Sequence, residues 1–456
     1  MKNIKQSDFT KKLFAIVLPI AFQNFMLALV SVSDAVMLGM IDQDSLSAVS
    51  LATQIQFVFN LFLTAMTVGT SMLVAQYWGK GDKVTVGRVF GLVMKLTILV
   101  SAAVTLIAAI APNVLMYIFT NDPVLVQYGS TYLRAVSLSY LLCGISQIYL
   151  CIMKNSGRAG KSSAISSAAV VINIVLNAIL IFGLAGAPKL GIAGAAIATV
   201  LARAIEMIWS ILESFRPNGI RLQFPYLLHV ERENKQEFWK YTKHVLANEF
   251  VWGLGFTMYS VILGHLGTDA VAANGIVNIV RNVLYCFCFG LASGGSIMVG
   301  NMLGAGKLEE AREYGSKLCK LAVLIGVITG LVVIALIPIA TSLTDLSPTA
   351  TTYLRWMLVM SSYYMIGKAV NCTTIGGIFT AGGDSRFGLL CDTVNMWCII
   401  VPLGLLAAFI WKLPVLGVYF ILSLDEVDKL PVVYSHYKKY GWVKNLTEKQ
   451  KDAAAS

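Results

Sequence analysis

Charged side chains are scarce in this sequence. Only 13% of its 456 residues are Asp, Glu, Lys or Arg, against about 25% in a typical soluble chain. With 57% of residues hydrophobic and a mean hydropathy of +0.72, an ordinary water-facing surface cannot be drawn over the molecule. A soluble globular protein is excluded in favour of a membrane protein. Histidine is scarce too: His229, His244, His265 and His436 show no HExxH or other ligand spacing, and no nucleophile–base pair stands out, so no metal site or enzyme chemistry is readable. The eight cysteines form no CxxC pair, which leaves neither a zinc site nor a disulfide framework indicated. A P-loop is missing as well, because the nearest approach, GKS at 160–162, has Asn155 where the first glycine is required. No nucleotide site and no ATP-driven step is therefore expected. The first apolar stretch is long and lacks a small-residue cleavage site, so it reads as a span and not as a removable signal.

What is present is a series of long apolar runs. A helix needs about 20 apolar residues to cross a bilayer core, and that window finds twelve spans. They centre near Val30, Leu61, Leu99, Leu141, Ile174, Ala198, Tyr259, Phe287, Ile325, Tyr364, Ile400 and Leu422. The last is the shortest, with Asp425, Glu426 and Asp428 following at once. Barrel strands would be only about 9–11 alternating residues, so the runs predict helices.

Lys and Arg then orient the spans. With the N-terminus cytoplasmic and sides alternating, 27 of the 35 Lys and Arg fall inside, six of them from Lys429 to Lys451, while the outer loops hold only Lys189 and Lys412. Twelve spans with both termini inside is the frame that preserves this bias. The net charge of +11 is thus mainly a topology signal, spread over seven short segments, and a nucleic-acid partner is not expected.

The chain also repeats itself. SMLVAQYWGKGD (71–82) returns as SIMVGNMLGAGK (296–307), and Leu38–Gly81 matches Leu263–Gly306 at 11 of 44 positions without a gap. A looser pair, SGRAGKS (156–162) and GGDSRFG (382–388), follows at an offset one residue larger. Six helices per half is an even number, so the halves enter the membrane with the same orientation. The predicted fold is an all-α integral membrane protein with twelve transmembrane helices in two six-helix lobes related by a parallel repeat, an architecture of secondary transporters. The lobes are expected at 1–214 and 244–434, with a cytoplasmic linker over 215–243 and a basic cytoplasmic tail over 435–456. The doubled glycine stretch is one cytoplasmic turn per half, its glycines permitting a sharp reversal.

Ionisable groups inside spans are costly and so mark candidate sites. Asp34 in helix 1 has no basic residue within a helical turn; it either takes up a proton or faces water passively. Glu249 (helix 7), Arg281 (helix 8) and Lys368 (helix 10) lie deep in their spans. They are expected to form one charged unit, functional or structural, with a net positive charge suited to anionic or zwitterionic compounds. Asp392 in helix 11 is a further single candidate. Asn173 and Asn177, spaced i,i+4 in helix 5, point one way, to line a polar cavity or to bond between helices. Arg203 and Glu206 read as a local i,i+3 pair.

Several stretches, in order and spanning nearly the whole chain, resemble the multidrug and toxic compound extrusion (MATE) family within the wider flippase superfamily. They are LPIAFQNFMLALVSVSDAVMLG, VAQYWGKGD, NIVLNAILIFG, GIAGAAIATV, IGGIFTAGGDSRFG and IVPLGLLAAF…LSLDEVDKLP. The resemblance implies a secondary active antiporter of the plasma (inner) membrane, working by alternating access. It would export drug-like organic compounds in exchange for H+ or Na+, as a monomer, with no cofactor beyond the coupling ion. By motif match, Asp34 resembles the family's ion-coupling acid and Asn173 a polar partner in an Asn-x-x-x-Asp pattern. Thr199 lies in a segment contributing another partner. Asn177 stands where many members have Asp, which removes one carboxylate from the expected ion-coupling set. Glu249 falls about one turn before the helix-7 acid of many members and resembles a bacterial branch with Asn-Glu there and Lys in helix 10. The alternatives are a flippase for lipid-linked or amphiphilic substrates and an intramembrane enzyme.

Overall fold

The computed structural model describes residues 2–448 except Asn218 and Asp345, and every regular element among them is helical. Among the described residues, nine helices are long and apolar enough to cross a membrane by length and composition. One of these runs 45 residues, Leu138–Phe182, and carries two passes, because the backbone breaks at Ser156 and at Gly157 (φ 78°). Two further passes contain polar residues or short pieces. The twelve passes are α1 (Lys2–Gly39), α2 (Gln43–Lys80), α3 (Lys83–Ile110), α4 (Pro123–Val136 continued by Leu138–Met153), α5 (Ala159–Phe182) and α6 (Ile192–Ser214). Then follow α7 (Arg232–Gly264), α8 (Thr268–Gly304), α9 (Leu308–Ser342), α10 (Pro348–Asn371, widening into π turns over Cys372–Phe379), α11 (Ser385–Thr393 through Leu406–Ile410) and α12 (Val415–Leu422, Asp425–Asp428 and Leu430–Lys438). Their outer faces keep large apolar side chains exposed, Leu106 on α3 and Leu331 on α9 among them, as a lipid-facing surface requires.

Packing divides the chain into two compact units. The N-terminal unit comprises Met26–Val74 and Lys83–Trp239; the C-terminal unit takes the chain up to Phe25, Ala75–Asp82 and everything described from Lys240 on. Both α1 and α2 are therefore shared between the units. In the N-terminal unit, Phe59 meets Tyr140 edge-on at 5.5 Å inside a core of Leu63, Ala108, Val136 and Ala196. The segment between α6 and α7 docks back on α3: Tyr226 lies against Gly91, and Arg88 pairs with Glu231 at 2.9 Å. The core of the C-terminal unit closes around the fully buried Trp442. That residue lies in the stretch expected as a basic tail, and it stacks on Tyr437 and packs against Gly315.

The doubled glycine stretch has a structural reason. Gly81 (φ 86°) and Gly306 (φ 74°) both occupy the left-handed region, where a side chain is disfavoured. Just before these turns, the end of α2 crosses the end of α8 with backbones in contact. A Cβ on Gly79 would meet the Asn301 carbonyl, one on Gly304 would meet the Gln76 carbonyl, and Gly300 faces Ala75. Residues 75, 76 and 79 are the equivalents of 300, 301 and 304 at an offset of 225. Each helix thus presents the same small patch to the other, the self-complementary arrangement of a two-fold contact. Gln76 is fully buried there: its Nε2 donates to the carbonyls of Ala381 and Lys444, and its Oε1 accepts from Leu446 N.

Candidate functional site

A cavity of about 630 Å³ lies within the N-terminal unit, among α1, α2, α4, α5 and α6. Among its lining residues Asp34 is the one acid and Arg203 the one base. The i,i+4 spacing on α5 aims Asn173 and Asn177 at α1 and α6 together, and a polar chain results. Asn177 Nδ2 donates to Asp34 Oδ1 at 2.6 Å, and at 3.4 Å to Asn173 Oδ1; Asn173 Nδ2 then reaches Thr199 Oγ1 at 3.4 Å. Thr199 closes the chain by donating to the Ala195 carbonyl at 3.0 Å. Asp34 is half-buried at the cavity wall, whereas Asn177 is 1% exposed. The acid therefore meets the cavity on one side and a fixed amide donor on the other. Arg203 lies within electrostatic reach of Asp34 but spends its close contact on Glu206, at 2.8 Å, as the i,i+3 spacing predicts. Ser146 Oγ holds the same carboxylate from α4 at 2.9 Å. Across the cavity Gln56 donates to Asn60 Oδ1 at 2.9 Å.

The four residues expected on the C-terminal side divide differently. Lys368 pairs with Glu426 at 2.9 Å, and Glu249 stands only within electrostatic reach of Lys368 and Asp392. Asp392 pairs with Lys429 at 3.0 Å and accepts from Asn248 at 3.0 Å. Lys429 also lies 3.3 Å from Glu426 and 3.8 Å from Asp425. Arg281 belongs to neither pair. Its guanidinium lies 3.6 Å from the centroid of the Tyr364 ring, and Nη1 donates to the Tyr419 hydroxyl at 3.3 Å. The expectation of a single Glu249–Arg281–Lys368 unit is thus corrected. So is its charge: with Arg281 apart and Asp392, Asp425, Glu426 and Lys429 included, four carboxylates face two cations, Lys368 and Lys429. Lys429, counted in the sequence among the lysines on the inner side, is 5% exposed.

The network holds α12 broken. Asn371 donates to both the backbone and the side-chain oxygens of Glu426 (2.7 and 2.8 Å), and Asn395 does the same for Asp425 (2.8 Å each). Both asparagines sit at or in the π turns of α10 and α11, and Gly367 lets the Glu426 carbonyl approach α10. Carbonyls freed by the interruption are satisfied inside the protein, the condition for a broken helix in a membrane.

One family model, described as MatE, matches the chain twice, over residues 19–179 and 245–406. The chain belongs to the MatE family. Within MatE, the "Uncharacterized transporter YisQ" of Bacillus subtilis is 21% identical over 443 residues, covering 96% of each chain. The "Multidrug resistance protein NorM" of Burkholderia vietnamiensis is 27% identical over 414 residues, covering 86% of this chain and 85% of its own. The fold is that of a MATE transporter of Vibrio cholerae (TM-score 0.87, 18% identity, 96% of this chain and 98% of that one). It is also that of a MOP-superfamily transporter from Pyrococcus furiosus (TM-score 0.87, 16% identity, 97% of each). The twofold match of the MatE model repeats at 226 residues, as SGRAGKS and GGDSRFG do.

Sequence reasoning found Asp34, Asn173, Asn177 and Thr199, which the structure brings together. It passed over Glu426, Lys429, Asn371 and Asn395 on the C-terminal side. The signal available was the tight alternation of charge in LDEVDK directly after an apolar run, which reads equally as a helix end in water.

Proposed function

We propose that this protein is a secondary active multidrug efflux antiporter, not an enzyme, exporting drug-like organic compounds by alternating access in exchange for protons. Membership of MatE supports the transporter class, and relatives that carry the name multidrug resistance protein support the substrate class. The observation that carries the coupling reading is the Asp34–Asn177 bond at the wall of the one-acid, one-base cavity. A carboxylate that opens on one side to a cavity and is held on the other by an amide can gain or lose a proton with little rearrangement. A sodium ion needs a cage of several oxygens with excess negative charge, and here Asn177 replaces the second carboxylate while Arg203 offsets the first. Protonation of Asp34 would weaken its hold on the Asn177 amide, since a neutral carboxyl is a poorer acceptor than a carboxylate, and the inward- and outward-open states would differ in how they hold that pair. Unequal binding to the two states is what lets an ion shift them. The charge bias of the loops supports a multi-pass protein with both termini cytoplasmic, and we take it to be a monomer of the plasma membrane.

The test is dye efflux by purified protein in liposomes, under an imposed pH gradient or an imposed sodium gradient. The pH gradient should drive efflux, and Asp34→Asn should abolish gradient-driven efflux while expression stays near normal, since the change removes a charge from the membrane. Undiminished efflux by Asp34→Asn would move coupling to another carboxylate, and a response to sodium alone would replace the proton.

A further inference from the structure

The C-terminal unit holds a second, much smaller cavity, about 30 Å³, and it is built around Arg281. This arginine lies 13 residues into α8, about 20 Å along the helix from Thr268. It is 8% exposed, and among the described residues no carboxylate pairs with it. Nearby Asp425 and Glu426 are already committed to Lys429, Lys368, Asn395 and Asn371. The guanidinium face is covered by Tyr364, Nη1 is spent on Tyr419, Tyr285 also bonds this side chain, and Nε is buried with no hydrogen-bond partner. The Tyr259 hydroxyl, in the same cavity, is likewise buried without a partner. Asn274, Asn278 and Arg281 recur at i, i+4 and i+7, so α8 presents all three on the face that lines the cavity.

The repeat makes the comparison quantitative. At the offset of 225, Tyr259 is the equivalent of Asp34, Arg281 of Gln56 and Asn278 of Thr53. Asp34, Gln56 and Thr53 all line the N-terminal cavity. The acid of one half is therefore a neutral donor in the other, and a neutral amide of one half is a guanidinium in the other. An unpaired buried cation with donors converging beside it is a costly arrangement for a protein to maintain. It becomes favourable when an anion completes it.

We propose that the Arg281 pocket is an anion site that receives a carboxylate group, with the Tyr259 hydroxyl and the Asn274 and Asn278 amides as neutral donors. The cavity is small, about 30 Å³, where a buried water needs roughly 10–15 Å³ on this measure, so it receives the head of a small anion and not a bulky one. The planar fork of arginine matches a carboxylate with parallel bonds. Two sources share this chemistry: the carboxylate of an organic substrate, which rests on the efflux reading above, and a free small anion such as acetate.

Two arms separate them. In liposomes, the apparent affinities for a xanthene dye with a free benzoate and for its methyl ester are compared as a ratio, in the wild type, Arg281→Met and Arg281→Lys. Separately, the thermal stabilisation of detergent-purified protein by sodium acetate is measured at constant ionic strength, with Tyr259→Phe added in case the Arg281 variants fold poorly. A charged hydrogen-bonded contact of this kind corresponds to about a tenfold to hundredfold change in affinity. Loss of the acid-over-ester preference by at least tenfold in Arg281→Met, with an intermediate value for Arg281→Lys, assigns the site to substrate carboxylates. Acetate stabilisation that Arg281→Met or Tyr259→Phe weakens about tenfold, with the dye ratio unchanged, assigns it to a free anion. An unchanged ratio together with acetate stabilisation that is absent or equal in all variants overturns the proposal. Should wild-type protein export neither dye, the efflux reading fails and the acetate arm still decides the site.

Discussion

Lys368 and Glu426 should be one energetic unit, and a double-mutant cycle measures it. Both side chains are buried, at 8% and 2% exposure, and their charged atoms stand 2.9 Å apart. Glu426→Gln keeps the shape and an acceptor for Asn371, but it leaves the Lys368 ammonium in the interior without its carboxylate. Lys368→Met leaves Glu426 with only Lys429. Breaking a buried pair from one side costs about 3–5 kcal/mol, chiefly because the partner stays buried and uncompensated. Making both changes removes that penalty, since Lys429 keeps Asp392 and Asp425. The double variant should therefore be far less damaged than the sum of the singles, with a coupling near the upper end of the usual range, about 2–3 kcal/mol.

The protein carries its own reporter. Cys288 is 1% exposed and lies in electrostatic reach of both Lys368 and Glu426. In a background lacking the other seven cysteines, the rate at which a fluorogenic maleimide labels Cys288 reads the local opening equilibrium. The expected coupling is a factor of roughly 30 to 160 in that rate. Additivity to within about 0.5 kcal/mol, a factor of about two, would show that the pair is not a unit and refute the network. The same cycle on Glu249 and Lys368 should show weak coupling, because no ion pair joins them among the described residues.

Two further expectations concern packing in the C-terminal unit. Gly79→Ala and Gly304→Ala each drive a methyl group into a facing backbone carbonyl that cannot rotate away, and each should cost about 1–3 kcal/mol by overpacking. Gly275→Ala, with open space around its Cβ, should change the melting temperature little. Trp442→Ala should destabilise by about 3–5 kcal/mol, as emptying a fully buried aromatic site does. A melting temperature unchanged in Trp442→Ala would mean that this segment does not contribute to the core.

What could be read in the sequence was whatever repeats with a helical period or is written twice. Apolar runs of about 20 residues have one solution in a bilayer, so the passes were legible down to the short α12. The spacing of Asn173 and Asn177 fixes a shared direction on any helix; that this direction meets Asp34 and Thr199 was implied only by the family resemblance, and the contacts themselves come from the fold. A broken helix is different. The run LSLDEVDK turns inward because Asn371 and Asn395, 30 to 55 residues away, take the Asp425 and Glu426 carbonyls, and nothing local in that run distinguishes this from an end in water. The pairing of Lys368 failed to show for the same reason: three carboxylates on three helices were within plausible reach, and only tertiary packing selects one.

The repeat carried more than topology. Where the two halves keep the same residue, as at Gly79 and Gly304, the structure uses both copies in one self-complementary contact. Where they differ, the difference locates chemistry: Asp34 against Tyr259 and Gln56 against Arg281 place a carboxylate in one cavity and a guanidinium in the other. A duplicated chain holds its backbone geometry through shared positions, so substitutions between equivalent cavity residues change which ligand charge is welcome with little change to the fold. On the reading proposed above, the protein holds a coupling acid and an anion-receiving group on two versions of one scaffold. Altering Arg281 should therefore move the preference for the carboxylate dye, or the stabilisation by acetate, while the Asp34–Asn177 contact in the other half stays as it is.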